Sequence, residues 1–180
     1  MNPSESGIFV LPNTPWVYIR VIGRGSFQNS PALRTFAADM IQRGNRQFVL
    51  DLDQCGGMDS TFLGVLTGIG LSLRQQKPPV TVYVIHASPR SRDLLKSLWL
   101  DRLFSVKADD AELPGFGPPD GATLQKLPDS DPTGGIKTLP REETREVMLT
   151  AHDDLIRADS RNAPKFAEVI RLLREEAPPP

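Results

Sequence analysis

The chain has 180 residues, 39% hydrophobic and 24% charged, which is enough for one ordinary core with a small appendage and excludes two large domains. A formal charge of −1 and a pI near 6.1 exclude a strongly basic surface, so no direct nucleic-acid partner is expected. The lone Cys55 excludes an internal disulfide, no apolar run suits membrane insertion, and Met1 to Gly7 lacks a signal-peptide pattern, so the simplest expectation is a cytoplasmic protein.

Ile8 to Leu11 and Trp16 to Ile22 read as two strands joined by the turn-rich Pro12-Asn13-Thr14-Pro15, as in a hairpin. Gly23-Arg24-Gly25-Ser26 lacks the spacing and lysine of a phosphate-binding loop and reads as a strand-end turn. Ser30 before Pro31 marks a helix start, with Ser30 as cap and Pro31 where a missing N–H does no harm. Leu33, Phe36, Ala37, Met40 and Ile41 then recur at helical spacing until Gly44. Gln47 to Leu52 is a strand, followed by a helix from about Ser60 to Gln76 that Pro78-Pro79 stops. Val80 to Ile85 is the next strand, Pro89 opens a helix through Leu94, Leu95 and Leu98, and Phe104-Ser105-Val106 adds a short last strand. Strands alternating with helices of this length predict an α/β sandwich with a mixed, largely parallel sheet of four to five strands.

Composition changes near Asp109. Residues 109–139 contain Pro114, Gly115, Gly117, Pro118, Pro119, Gly121, Pro128, Pro132, Gly134 and Gly135, a linker composition for which extended or mobile backbone is expected. Pro140 and Glu142-Glu143 then suit a helix N-terminus, and Val147, Met148, Ala151, Leu155 and Ala158 make an apolar stripe. A second helix follows Asn162-Ala163-Pro164, with Phe166, Val169, Ile170 and Leu173 at i, i+3, i+4 and i+7. The expected division is a domain over 8–108, a Pro/Gly-rich linker over 109–139 and an αα-hairpin over 140–176. The hairpin is too small to stand alone and must pack either on the protein's own core or on a partner.

The candidate site lies in the middle of the chain. Phe48 to Leu52 is an apolar run carrying Asp51, and Asp59-Ser60-Thr61 opens the following helix. Hydroxyls at a helix start sit beside free backbone amides, where a phosphate would be held, while Asp59 and Asp51 would oppose its charge. Asp59 and Ser60 are equally suited to plain helix capping. The helix is apolar around much of its circumference, through Phe62, Leu63, Val65, Leu66, Ile69, Leu71 and Leu73, so one face can pack on the sheet and leave another for a partner or for the C-terminal hairpin.

The strand Trp16 to Ile22 with Gly23, the strand bearing Asp51, Asp59-Ser60-Thr61 with Leu63-Gly64, and the run Ser88-Pro89-Arg90 through Leu98-Trp99-Leu100-Asp101-Arg102-Leu103-Phe104 together resemble the STAS domain. That is the fold of bacterial anti-sigma factor antagonists and of regulatory modules attached to sulfate transporters, and the resemblance covers about residues 8 to 108. It implies a non-enzymatic regulator with no cofactor of its own, phosphorylated at Ser60 or Thr61, with Asp51 and Asp59 supporting the switch; the apolar helix that follows makes Phe62, Leu63, Val65 and Leu66 the candidate partner surface. The implied partner is an anti-sigma factor and serine/threonine kinase of histidine-kinase-like ATPase fold, which brings ATP and magnesium. Phe62 departs from the family pattern, which has glycine there. Such antagonists usually lack a C-terminal tail, so the resemblance leaves the hairpin unexplained.

Two alternatives stand beside this reading. One is a STAS-fold scaffold that binds a partner constitutively through the helix at Ser60 and the hairpin. The other gathers Asp51, Asp53 and Asp59 around magnesium, as in receiver domains or phosphatases of the haloacid dehalogenase type; both use a lysine from a later strand end, where this chain has His86-Ala87-Ser88. His86 and His152 make no metal-ligand spacing with the single cysteine and read as ordinary surface or boundary histidines. No serine has an evident His and acid partner set.

Overall fold

A computed structural model describes residues 6–12, 16–108, 118, 121–129 and 141–175. Strands β1 (Gly7–Leu11) and β2 (Val17–Gly25) form an antiparallel hairpin. Helix α1 (Ser30–Gln42) then crosses to β3 (Phe48–Asp51), which lies parallel to β2. Helix α2 (Ser60–Arg74) crosses to β5 (Val82–Ile85), and α3 (Pro89–Ser97) crosses to β6 (Ser105–Val106), each new strand parallel to the one before. Two further strands, β4 (Cys55–Met58) and β7 (Gln125–Lys126), bring the mixed sheet to seven among the described residues, two more than the upper expectation. The main path runs β6-β5-β3-β2-β1-β7, and β4 pairs with β2.

Both additions have local causes. Gly23, at φ 75, absorbs a shift of register in β2, so the Gly23 to Gly25 segment continues as strand and pairs with β4 instead of turning. β7 lies within 109–139 and adds antiparallel to β1, with Leu127 buried beside it. Of the segment expected to be a linker, residues 109–117, 119–120 and 130–139 lie outside the described residues. At α1, Ser30 is the first helical residue and Asn29 holds the cap position; the Ser30 hydroxyl donates back to the Ser26 carbonyl.

The helices share one face of the sheet. Val17, Ile19 and Val21 of β2 and Phe48 and Leu50 of β3 point into a core closed by Leu33 and Ala37 of α1, Phe62, Leu63 and Leu66 of α2, and Leu95 of α3. Tyr18, Val49 and Ile85 alternate to the other face, with Leu11, Trp16, Tyr83 and Leu124 against them.

Helices α4 (Arg141–Ala158) and α5 (Ala163–Glu175) complete the core from outside α2. Val147, Ala151 and Leu155 of α4 and Phe166 and Ile170 of α5 are buried. The bend between them is fixed to the end of α3. Buried Asn162 donates to the Leu98 and Leu155 carbonyls, Lys165 reaches the Ser97 carbonyl, and the Arg161 guanidinium lies 3.3 Å above the Trp99 ring centre. Of the two packing solutions open to the hairpin, this structure adopts the one on the protein's own core.

Candidate functional site

Pairing of β4 with β2 brings the start of α2 onto the end of β2. The Asp59 amide donates to the Gly25 carbonyl. Asp59 then caps α2: Oδ1 accepts from the Phe62 amide at 2.9 Å and Oδ2 from the Phe27 amide at 2.8 Å. The carboxylate therefore joins the β2–α1 loop to the first turn of α2, and both of its oxygens are engaged.

Ser60 follows, half-buried, with Oγ 3.0 Å from Nε2 of His152 on α4. His152 Nδ1 is 2.7 Å from the Met148 carbonyl oxygen, which only accepts, so Nδ1 carries a proton. In the neutral ring Nε2 then has the free lone pair, and the Ser60 hydroxyl donates to it. His152 is 2% exposed, and its ring packs at a 5.2 Å centroid distance against Phe166. His152 is thus buried and directed at the candidate hydroxyl, in contrast to the surface or boundary position expected for it. The helical period contained a signal: His152 adjoins Ala151 at the edge of the Val147, Ala151, Leu155 stripe. Chemically, the pair is a serine hydroxyl facing an oriented imidazole base, with a backbone carbonyl where a triad would have a carboxylate. Thr61, the other candidate acceptor, is 5% exposed.

Phe62, Leu63, Val65 and Leu66, expected at a partner surface, are all buried here. The Phe62 ring lies over Gly25, where an added Cβ would come within 2.6 Å of ring carbon Cε1, so an aromatic at this position is accommodated by the missing side chain of β2. Along the outer side of α2, Gly64 and Gly68 admit α4. A Cβ on Gly64 would meet the Ala151 backbone, and one on Gly68 would meet the Asp154 carboxylate. The hairpin therefore covers the second apolar face of α2.

Asp51 belongs to a different network, on the sheet face opposite α2. Its Oδ2 accepts from the Tyr18 hydroxyl and from Arg20 Nε at 2.9 Å; Oδ1 accepts from His86 Nδ1 at 2.9 Å and from the Asp53 amide at 3.0 Å. Burial pushes the Asp51 carboxyl up, but the bonds from Tyr18, His86 and Asp53 and the Arg20 charge outweigh it and hold the group below the usual carboxylate value. Burial, followed by the bond to Asp51, raises the Tyr18 hydroxyl and keeps it protonated. His86 stands in left-handed backbone at φ 52, with its side chain 53% exposed. Tyr18 and Arg20 were not identified as site residues from the sequence. The signal available was a charged residue in each of two adjacent apolar strands, which the register pairs as Arg20 and Asp51.

Asp51 and Asp53 do not project together, because strand geometry ends at Asp51 and Asp53 lies exposed in the turn. The oxygens of Asp51 and Asp59 are taken by protein donors, and no group of three His, Cys, Asp or Glu able to hold a metal occurs among the described residues. No helix among them is long and apolar enough to cross a membrane.

No curated protein sequence matches this chain. Among solved structures it is similar to the anti-sigma factor antagonist SpoIIAA in its unphosphorylated form, at 16% identity, over 54% of this chain and 97% of that one, with a TM-score of 0.44. It is also similar to the Bacillus cell fate determinant SpoIIAA in the phosphorylated form, at 16% identity, over 58% and 94% of the respective chains, with a TM-score of 0.47. The STAS domain model matches residues 10–113, more than half of the 180 positions, and the matched segment carries strands β2 to β6, the Asp59 cap and the Ser60 helix described above. The chain belongs to the STAS domain family.

Proposed function

We propose that this protein is a regulatory protein-binding module of the anti-sigma factor antagonist kind, without enzymatic activity, whose partner affinity is switched by phosphorylation of Ser60. The observation that carries the reading is the Ser60 hydroxyl itself: half-buried at the first turn of α2 and bonded to His152, while the neighbouring Thr61 is buried. Ser60 is therefore preferred over Thr61 as the acceptor. The partner is an anti-sigma factor that is also a serine/threonine kinase of histidine-kinase-like ATPase fold and supplies the ATP and magnesium.

The surface offered to that partner surrounds Ser60 and includes Phe27, which is 38% exposed and whose amide is held by the Asp59 carboxylate. Phe62, Leu63, Val65 and Leu66 shape it from beneath, and Asp51 fixes the strand ends below the turn. A phosphate dianion placed there needs to cost only about 2.7 kcal/mol to weaken binding about a hundredfold. The test is recovery of the protein from its native cell, with intact mass and peptide fragmentation across Ser60 and Thr61. Phosphate on Ser60 supports the switch; its absence under all growth conditions, together with equal partner capture by Ser60→Ala and Ser60→Asp, overturns it.

The second reading is a constitutive scaffold, favoured by the cover that α4 places over α2. Its contact surface is the outer hairpin, where Val169 and Leu172 are 38% and 48% exposed. Capture lost in Leu172→Glu but unchanged in Ser60→Asp would select it.

A further inference from the structure

We infer that His152 takes the Ser60 proton during phosphoryl transfer and then serves as the counter-ion of the Ser60 phosphate, so that modification ties the C-terminal hairpin to the start of α2. This rests on Ser60 being the phosphorylated residue. His152 lies beyond the residues matched by the STAS model, so the device belongs to this chain's extension.

The geometry assigns the proton movements. Nδ1 donates to the Met148 carbonyl at 2.7 Å, and Nε2 faces Ser60 Oγ at 3.0 Å. When a nucleoside triphosphate is the donor, the bond from Ser60 Oγ to the γ-phosphorus forms and the bond from that phosphorus to the bridging oxygen breaks. The nucleoside diphosphate leaves, and the hydroxyl proton passes to Nε2. The ring is then an imidazolium with Nδ1–H on Met148 and Nε2–H on a phosphate oxygen. Before transfer, a neutral hydroxyl-to-imidazole bond joins α2 to α4; afterwards a charge-assisted bond between a dianion and a cation joins them, and that is the stronger class. The nearest carboxylate in sequence, Asp59, has its oxygens turned to the Phe27 and Phe62 amides. Burial of the ring against Phe166 protects the new pair from solvent screening.

Phosphorylation consequently tightens the hairpin over α2. An unmodified serine leaves α4 free to open as its packing allows; a modified one adds an ionic latch 92 residues away in the chain.

The experiment installs phosphoserine at position 60 of the full chain by codon reassignment, so that no kinase is needed. Nitrogen-15 spectra of the His152 ring at pH 7.5 are then compared with those of the unmodified chain, alongside hydrogen exchange of the α4 amides. The expected result is one bare ring nitrogen before modification and two protonated nitrogens after it, with α4 exchange slowed about tenfold or more. In His152→Gln the slowing disappears. A bare ring nitrogen in the phosphorylated chain, or equal slowing in His152→Gln, overturns the inference. The ring spectrum of the otherwise native chain decides it alone if the variant does not fold. Absence of phosphate on Ser60 in the native cell would remove the proposed switch and leave these results standing, so the two failures are distinguishable.

Discussion

Replacing Gly64 by alanine tests the central packing contact of the molecule, and Gly68 provides its control. Both glycines lie within α2, so each substitution gains about 1 kcal/mol of intrinsic helix preference. Their neighbours differ in hardness. A Cβ on Gly64 would stand 2.6 Å from the Ala151 Cβ and closer still to the Ala151 carbonyl group, which is α4 backbone and cannot rotate away. Overpacking of this kind costs about 1–3 kcal/mol, and a backbone neighbour puts it near the top of the range, leaving a net loss of about 2 kcal/mol. On Gly68 the obstacle is the Asp154 carboxylate, the end of a side chain. It can swing aside at the expense of its 2.8 Å ion pair with the exposed Arg157, a pair of the sort worth about 0–1 kcal/mol. Gly68→Ala is therefore near neutral. By thermal and denaturant unfolding, Gly64→Ala should lower Tm by about 4–8 °C and Gly68→Ala should hardly change it. Hydrogen exchange should place the loosening in α4 and not in β5. A Gly64→Ala protein as stable as the parent, or a Gly68→Ala protein equally weakened, would refute the close crossing of α2 and α4.

Asp51→Asn should cost about 3 kcal/mol at pH 7, because it removes the charge facing Arg20 and a shared acceptor for Tyr18 and His86. The parent carboxyl lies below its ordinary value of 3.8, so its stabilising contribution is complete above that value and is lost as pH falls through the folded-state value; the gap between parent and variant, measured by denaturant midpoints, should narrow in that acid window. Asn162→Ala should lose about 2 kcal/mol by leaving the Leu98 carbonyl without the Asn162 donor and the Leu155 carbonyl with the Asp159 amide alone, and should speed exchange at the bend before the rest of the sheet. Ser60→Ala should abolish phosphate incorporation in the native cell while costing at most about 1.5 kcal/mol for the bond to His152, and Thr61→Ala should leave incorporation intact.

The period of the apolar residues made β1, β2, β3 and β5 and the helices legible, because one sheet face and one side of each helix had to be buried. β4 was not legible: Cys55-Gly56-Gly57-Met58 has little strand preference of its own and becomes strand because the bulge at Gly23 turns the end of β2 toward it. β7 was masked by the Pro and Gly around Gln125-Lys126, and its cause is the free edge of β1. Asp59 as a cap could be read locally. The Ser60–His152 bond could not, since it depends on how α4 crosses α2, and helical period alone fixes which face is buried without fixing its register on a neighbour. Gly64-x-x-x-Gly68 carried part of that information, two glycines one turn apart on one side of the helix. The Asp51 network required the pairing of Arg20 with Asp51, a register that strand alternation permits but does not select.

The depth of the hairpin's packing decides where a partner can bind. Val147, Leu155, Phe166 and Ile170 are buried where α4 and α5 close the core, and burial of such side chains contributes about 1.5–3 kcal/mol each, or about 6–12 kcal/mol for the four. These are upper figures, since an unfolded chain already hides part of that surface. A micromolar complex has a binding free energy of about −8 kcal/mol. A partner that had to lift the hairpin to reach Val65 and the Gly64 and Gly68 face of α2 would need contacts worth both amounts together, close to the tightest associations known. Binding beside the hairpin avoids that cost, and it leaves Ser60, Phe27 and the exposed side of α5 as the accessible surface. In the partner complex the α4 amides from Val147 to Leu155 should therefore exchange no faster than in the free protein; accelerated exchange there on binding would mean that the partner displaces the hairpin and takes the buried face of α2.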